Sequence, residues 1–136
     1  IHLTFDESIN ITNHLLKRNV FELINIDIIN YYITPGEIIN LINLADEKKI
    51  NLLKCNLMTL LNLLIDSGYY KKNKPIKTIT INLIELFFLK EYKLTETKIS
   101  LLNYYHAFLN KINNTEKFNL DEESLFLEFK SKLLHE

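Results

Sequence analysis

The sequence predicts an all-α fold, and three observations lead to that class. Only two glycines and two prolines interrupt 136 residues, which favours long helices over a turn-rich β-sandwich or barrel. Apolar residues recur at helical spacing, whereas strict alternation never runs far, although isoleucine and tyrosine favour strands. Apolar residues make up 47% and charged ones 24%, as in globular proteins. We expect five or six helices in one compact domain.

The first helix is expected over residues 6–18, with Asp6 or Ser8 as its N-cap. Its apolar face consists of Ile9, Thr12, Leu15 and Leu16. Residues 20–32 are apolar but less periodic, so we expect a connector there, with a short helix followed by an extended connector as the alternative.

The clearest helix start in the chain is Thr34-Pro35-Gly36-Glu37. The Thr34 hydroxyl and the Glu37 carboxylate can each bond the other's backbone N–H, which makes a capping box. Pro35 suits the first helical position, because its missing N–H is not needed there. We expect a helix to about residue 49, with a buried stripe of Ile38, Leu41, Ile42 and Ala45.

A third helix is expected over residues 52–67, with Asn51 as its cap and Gly68 as its left-handed end. Residues 69–77 then read as a loop, since they combine four lysines, Pro75 and no acid. This loop divides the chain into two groups of helices, at about 1–68 and 78–136.

The second group contains three predicted helices. Thr78 or Thr80 can start the first, which runs to about residue 92. Thr95 or Thr97 can cap the next, and we expect residues 113–115, Asn-Asn-Thr, to end it after about residue 109. Asn119, with Glu122 three residues later, indicates the start of a last amphipathic helix that runs to about Leu134.

Recognisable catalytic chemistry is missing from the sequence. Phosphate-binding loops need glycine runs, and the four histidines are not at metal-ligand spacing with one another or with Cys55. Cys55 is expected to be an inert core thiol, and His106 a partly buried, hydrogen-bonded side chain. The acids of residues 121–123 are explained by a helix N-terminus. We expect no catalytic residue, no cofactor and no metal.

Partners and location are only loosely bounded. The formal net charge of −1 gives no global reason for binding DNA or an anionic membrane. No apolar run approaches the roughly 18 residues of a membrane span. One cysteine fits a reducing compartment, so we expect a soluble intracellular protein of the cytoplasm or an organelle matrix. The excess of Ile, Asn, Lys and Tyr suggests an AT-rich genome.

The one local charge asymmetry is the lysine segment, residues 69–77. Lysines can neutralise phosphates, and tyrosines can stack on unpaired bases. The candidate nucleic-acid-binding residues are therefore Tyr69, Tyr70, Lys71, Lys72, Lys74 and Lys77. A solvated segment with its tyrosines packed on the core is the alternative interpretation.

Residues 11–64 resemble the tail of the B subunit of tRNA-dependent amidotransferases, a YqeY-like helical domain. The matching phrases are Ile11-Thr12-Asn13, Ile33-Thr34-Pro35 with Glu37, Leu41-Ile42-Asn43-Leu44, Asp46 and Lys49-Ile50. The family usually has a tryptophan before the first phrase, where this chain has Asn10, and a glycine after Asp46, where it has Glu47. The later family segment is glycine-rich, but residues 98–109 contain no glycine.

This resemblance implies an accessory tRNA-binding module whose catalytic parts lie in the kinase-like body and a partner amidase subunit. The chain, which begins at Ile1, would then be a fragment of a longer protein that contacts tRNA and other amidotransferase subunits. The alternative from another functional class is an all-α protein-interaction or helical-repeat scaffold domain that binds no RNA.

Overall fold

The computed structural model describes residues 2–30, 32–71, 73–94, 96, 98–118 and 122–134, without the side chains of 115–118. It has six α-helices in these residues: α1 Phe5–Leu16, α2 Pro35–Lys48, α3 Leu57–Ser67, α4 Lys74–Leu94, α5 Lys98–Phe118 and α6 Glu122–Leu133. Short 3-10 turns lie at Val20–Glu22, Ile26–Ile28 and Tyr69–Lys71. No strand occurs in the described ranges, so the all-α prediction is confirmed.

Two capping boxes begin α1 and α2. At α2, the Thr34 hydroxyl accepts from the Glu37 N–H at 3.2 Å, and Glu37 Oε2 accepts from the Thr34 N–H at 2.8 Å, as predicted. At α1 the box pairs Thr4 with Glu7, so the predicted caps Asp6 and Ser8 are wrong. Ser8 is buried because it lies one turn inside the helix, where its backbone C=O accepts from the Thr12 hydroxyl.

The start of α3 lies five residues later than predicted. Asn51 does bind the N–H groups of Leu53 and Lys54, but this closes only a turn, and Asn56 is the cap of α3. The end is as predicted: Gly68 has φ 67°, a left-handed conformation that glycine adopts without steric cost. Residues 20–30 form the expected connector, which the hydrogen bond from the Asn25 N–H to the Leu52 carbonyl, at 3.0 Å, holds in place.

The predicted loop over residues 69–77 is wrong. A 3-10 turn occupies 69–71, and α4 already begins at Lys74. Asn73 is the side-chain cap, since its Oδ1 accepts from the Ile76 N–H at 3.3 Å. Pro75 therefore lies in the first turn of the helix, where proline is well tolerated. Thr78 and Thr80, the predicted starts, lie inside α4, and the buried Thr80 hydroxyl donates to the Ile76 carbonyl.

Helix α5 is longer than predicted, because residues 113–115 continue it rather than ending it. Asparagine is only a weak helix breaker, and the neighbouring Ile112 is buried in the core, so packing decides the local structure. The predicted caps Thr95, Thr97 and Asn119 lie outside the described residues. The last helix follows its predicted pattern, with Leu125, Phe126 and Phe129 buried.

Helix α4 is the centre of the packing. It contacts α2, α3 and α5 along its length, while α1 packs on α2, and α6 packs on α3 and α5. Phe88 of α4 meets one phenylalanine from α5 and one from α6. Its ring centroid lies 6.1 Å from that of Phe108 and 5.6 Å from that of Phe129. Such edge and tilted ring pairs contribute about 0.5–1.5 kcal/mol each beyond their burial.

One cluster of buried apolar side chains extends from Ile9 to Leu134. It includes residues of both groups of helices that the sequence suggests, and α3 of the first group packs directly on α4 and α6 of the second. Among the described helices, none is both long and apolar enough to cross a membrane.

The capping box of α2 gives a first test. Thr34→Ala removes one acceptor and one side-chain partner of Glu37, so we expect a loss of about 1 kcal/mol in the free energy of unfolding. Thr78→Ala is the matched control, because Thr78 is exposed inside α4, where alanine is the better helix former. Urea unfolding followed by circular dichroism measures both, and equal midpoints would contradict the prediction.

Candidate functional site

The lysine segment is less basic in three dimensions than in sequence. The start of α6 lies beside it, and Glu123 Oε1 is 2.8 Å from Lys71 Nζ. Lys77 Nζ forms a second, partly buried ion pair with Glu122. Lys74 is exposed, and no ion pair of its ammonium occurs within the described residues. Two of these cations are therefore already opposed by carboxylates about 45–52 positions away in sequence.

Of the two tyrosines in this segment, one packs in the protein core and the other packs at its edge. Tyr70 is buried, with its ring packed edge-on against Phe126 at 4.5 Å between centroids. Tyr69 is half-buried, and the Lys48 ammonium lies 4.4 Å from its ring centroid. A nucleic-acid base has no access to the Tyr70 ring in this arrangement. Lys72, the remaining predicted residue, lies outside the described residues.

Two depressions lie elsewhere on the protein. One, of about 130 Å³, lies between α2 and α4, and there the Asn82 side chain donates to Glu37 Oε1 at 2.8 Å. This volume is below the roughly 300 Å³ at which small-molecule sites begin. The other, of about 440 Å³, is an open cleft at the end of α2 whose charged side chains are Glu22, Asp46 and Lys49. Neither depression contains a nucleophile next to a base.

The most distinctive surface is apolar and lies where α4 ends and α5 begins. It consists of five large side chains, and we call it the α4–α5 patch: Leu89, Tyr92, Leu94, Ile99 and Leu102, which are 42, 41, 81, 78 and 41% exposed. Isolated exposed leucines are ordinary, but contiguous apolar surface on a protein usually marks a binding site.

A groove of about 180 Å³ runs through this patch between the two helices. Its floor is Phe88, its α4 wall is Leu89 and Tyr92, and its α5 wall is formed by Leu101, Leu102 and Tyr105. Phe88 is held in place by other aromatic rings: its ring centroid lies 4.8 Å from that of Tyr105 and 5.6 Å from that of Phe129. The groove is thus an apolar depression lined by side chains of both helices.

Opposite charges lie at the two ends of the groove. The Lys98 ammonium lies 5.0 Å from the Tyr92 ring centroid, near the tip of the α4–α5 hairpin. At the other end Glu85, which also lines the depression between α2 and α4, lies beside Tyr105, and burial together with this negative charge raises the pKa of Tyr105. Neither Lys98 nor Glu85 forms an ion pair within the described residues.

Helix α5 is held in place from its far side by α6. Glu128 on α6 forms ion pairs with Lys132 at 2.9 Å and with Lys111 of α5 at 3.5 Å. The hydrogen bond from Lys132 is the main cause that lowers the pKa of Glu128. Burial, assisted by the charge of Glu128, raises the pKa of Tyr104 to about 12. These contacts fix the side of α5 that faces away from the groove.

The sequence reasoning missed this patch. The signal is present in the sequence: Ile99, Leu102 and Leu109 form a second apolar stripe at helical spacing, beside the stripe of Phe108 and Ile112. A surface helix needs one such stripe to pack on a core. Two stripes on α5 indicate a further contact.

The remaining reactive side chains are scattered. Within the described ranges, no three His, Cys, Asp or Glu side chains are grouped to hold a metal ion. His106 is exposed, contrary to the expected partial burial, because it faces away from the α4 side of α5. Cys55 lies just before α3 rather than on it, and it is half-buried. Its burial raises the pKa of the thiol.

Comparison of the chain with protein-family models, with curated proteins and with solved structures finds no match. The resemblance to the amidotransferase tail therefore stays a hypothesis.

The pKa shift of Cys55 gives a second prediction. A raised pKa lowers the thiolate fraction at any pH below it, so native Cys55 should react with a thiol reagent more slowly than in urea. The pH at which labelling reaches half its maximal rate should also be higher in the native protein. Stopped-flow labelling across pH 7–10 measures both states, with free cysteine as the control. A native rate equal to the urea rate would contradict a sheltered thiol.

Proposed function

We propose that this chain is a helical protein-interaction module, and that the α4–α5 patch is its binding surface. The observation that carries the proposal is the apolar groove between two helices, whose wall residues Leu89, Tyr92 and Leu102 are about two-fifths exposed. Hydrophobic grooves between helices commonly receive an amphipathic helix from a partner. This function belongs to the second class considered from the sequence, a protein-interaction domain.

The shape and the flanking charges of the groove predict the sequence pattern of the partner helix. Its apolar residues should recur at three- and four-residue spacing to match the rows Leu89–Tyr92 and Leu101–Tyr105. The partner should place an acidic residue near Lys98 and a basic residue near Glu85, since both charges are unopposed in the described structure. An uncharged or uniformly charged helix would match the groove less well.

The affinity should be modest. Full burial of a large apolar side chain contributes about 1.5–3 kcal/mol, so covering the partly exposed patch contributes on the order of 4–8 kcal/mol. Association costs at least about 4 kcal/mol in translational and rotational freedom. The balance predicts a weak, reversible complex of the kind formed by transient interaction modules.

A peptide selection tests this proposal. A phage library of helical peptides is selected on the purified chain, and bound peptides are titrated by fluorescence anisotropy. We expect peptides with one apolar stripe, whose binding falls at least about tenfold for Leu102→Glu, because the substitution puts a charge in the groove wall. Leu15→Glu is the matched control, because Leu15 is an exposed leucine on α1, which packs on α2, and it does not line the groove.

Two outcomes would contradict the proposal. Peptides that bind Leu102→Glu as well as the unchanged protein would place the binding surface elsewhere. A selection that enriches no helical peptide would remove the groove as a binding site.

We keep tRNA binding, as an accessory module of a glutamyl- or aspartyl-tRNA amidotransferase, as a second candidate. The resemblance of residues 11–64 supports it, and so does the exposure of Lys74 with Lys71 and Lys48 in the same part of the fold. The ion pairs of Lys71 and Lys77 with α6 weigh against it, because each phosphate contact would have to compete with a carboxylate.

A salt-dependent titration tests this second candidate. If phosphates bind here, Lys74→Ala should weaken tRNA binding and lower the slope of log affinity against log salt by about 0.7–0.9, one phosphate contact. Changing Lys71, Lys72, Lys74 and Lys77 together should lower it further. Lys54→Ala, an exposed lysine before α3, is the control and should change neither quantity. No measurable tRNA affinity, or equal curves for Lys74→Ala and the unchanged protein, would contradict the hypothesis.

A further inference from the structure

The charge pattern of the α4–α5 patch has an internal symmetry. Lys98 lies at one end beside Tyr92, and Glu85 lies at the other end beside Tyr105. On α5 the two ends are seven residues apart, at positions 98 and 105, and on α4 they are again seven residues apart, at positions 92 and 85. Seven residues of α-helix span about 10.5 Å. The groove therefore has Lys98 near one end and Glu85 near the other, two helical turns apart.

The midpoint between these ends is apolar on both helices. On α5 it falls at Leu101 and Leu102, and on α4 it falls at Phe88 and Leu89, the residues that form the middle of the groove. A surface with an apolar centre and opposite charges at equal distances from it is complementary to itself after a rotation of 180°. Such a rotation brings each Lys98 over the other copy's Glu85.

We propose that the partner of the α4–α5 patch is a second copy of this chain, in a two-fold symmetric, antiparallel pairing of hairpins centred on Leu89 and Leu102. This inference rests on the proposed function, because it names the occupant of the same groove. In the pair, the outer stripe of each α5, which begins with Ile99 and Leu102, packs into the groove of the other copy. The two hairpins then form a four-helix bundle, the arrangement in which antiparallel helices commonly bury such stripes.

Both charges suit this role. Lys98 and Glu85 have no ionic partner within the described residues, unlike Lys90, which lies 3.5 Å from Asp27 on the adjacent connector. Glu85 is also half-buried beside Tyr105, so its side chain loses less conformational freedom on association than a fully exposed one. Two symmetry-related pairs, each Lys98 with Glu85, set the register of the interface more than its strength.

Sedimentation equilibrium tests the pairing, with the chain between about 10 µM and 1 mM, the range in which a weak dimer dissociates. We expect reversible monomer–dimer exchange for the unchanged protein and for the control Leu15→Glu, and a monomer for Leu102→Glu. Lys98→Glu places two like-charge pairs in the interface and should weaken association about tenfold. Circular dichroism shows whether each variant keeps its helices.

Exchanging the two charges between positions 98 and 85 is the most direct test of the Lys98–Glu85 pairing. Lys98→Glu combined with Glu85→Lys recreates opposite charges at both ends, so the double variant should regain most of the association lost by Lys98→Glu. Glu85→Gln removes the charge but preserves the shape of the half-buried side chain, so it should weaken the dimer only slightly. Comparing its circular dichroism with that of the Glu85→Lys variant shows whether the lysine disturbs the fold.

Three results would overturn the inference: a monomer at every concentration, a dimer that Leu102→Glu leaves intact, or a double variant as weak as Lys98→Glu while both remain folded. A monomer that still binds selected peptides through Leu102 would overturn the self-pairing alone and leave the proposed function standing. Failure of those peptides would count against the proposed function itself.

Discussion

The burial of α4 is the constraint on which the rest of the structure depends. Its 21 residues contact α2, α3 and α5, and its buried side chains are not confined to one stripe. A helix that is covered on several sides needs several neighbours to exclude water from its apolar surface. The phenylalanines at its C-terminal half, Phe87 and Phe88, each pack against Phe129 of α6. The position of α4 therefore dictates where α3, α5 and α6 can lie, and the part of α4 that remains uncovered is the wall of the groove.

The sequence predicts the helices well wherever a local signal decides them. The capping box at Thr34 and the left-handed Gly68 lie where the pattern puts them, since each satisfies backbone groups within a few residues. Prediction fails where tertiary packing overrides a local signal. Residues 113–115 suggest a break, but α5 continues through them beside the buried Ile112. Pro75 and four lysines suggest a loop, but Pro75 lies in a first helical turn capped by Asn73.

The candidate sites show a similar division. Charge along the chain identifies the lysines of residues 71–77 as a basic run, but it contains no information about the acids of α6, which approach only after folding. The α4–α5 patch was missed for a related reason. The sequence of α5 shows two apolar stripes at helical spacing. Which stripe faces α4 and which faces outward depends on how the two helices cross, and the sequence does not give that. Only the structure separates Phe108, which is buried, from Ile99 and Leu102, which are exposed.

The tip of the α4–α5 hairpin is where a partner would change the protein most. No side chain is fully buried between Lys98 and Ala107, and the buried residues of α5 are Phe108 and Ile112 among those whose side chains are described. Helices in proteins owe most of their stability to packing of an apolar face, so the first turns of α5 depend on half-buried contacts with α4. A helix seated in the groove would cover Leu102 and Tyr92 and exclude water from those same contacts. Binding and the local stability of α5 are thus coupled: whatever occupies the groove stabilises the hairpin that forms it, by an amount that grows with the partner's concentration relative to its dissociation constant.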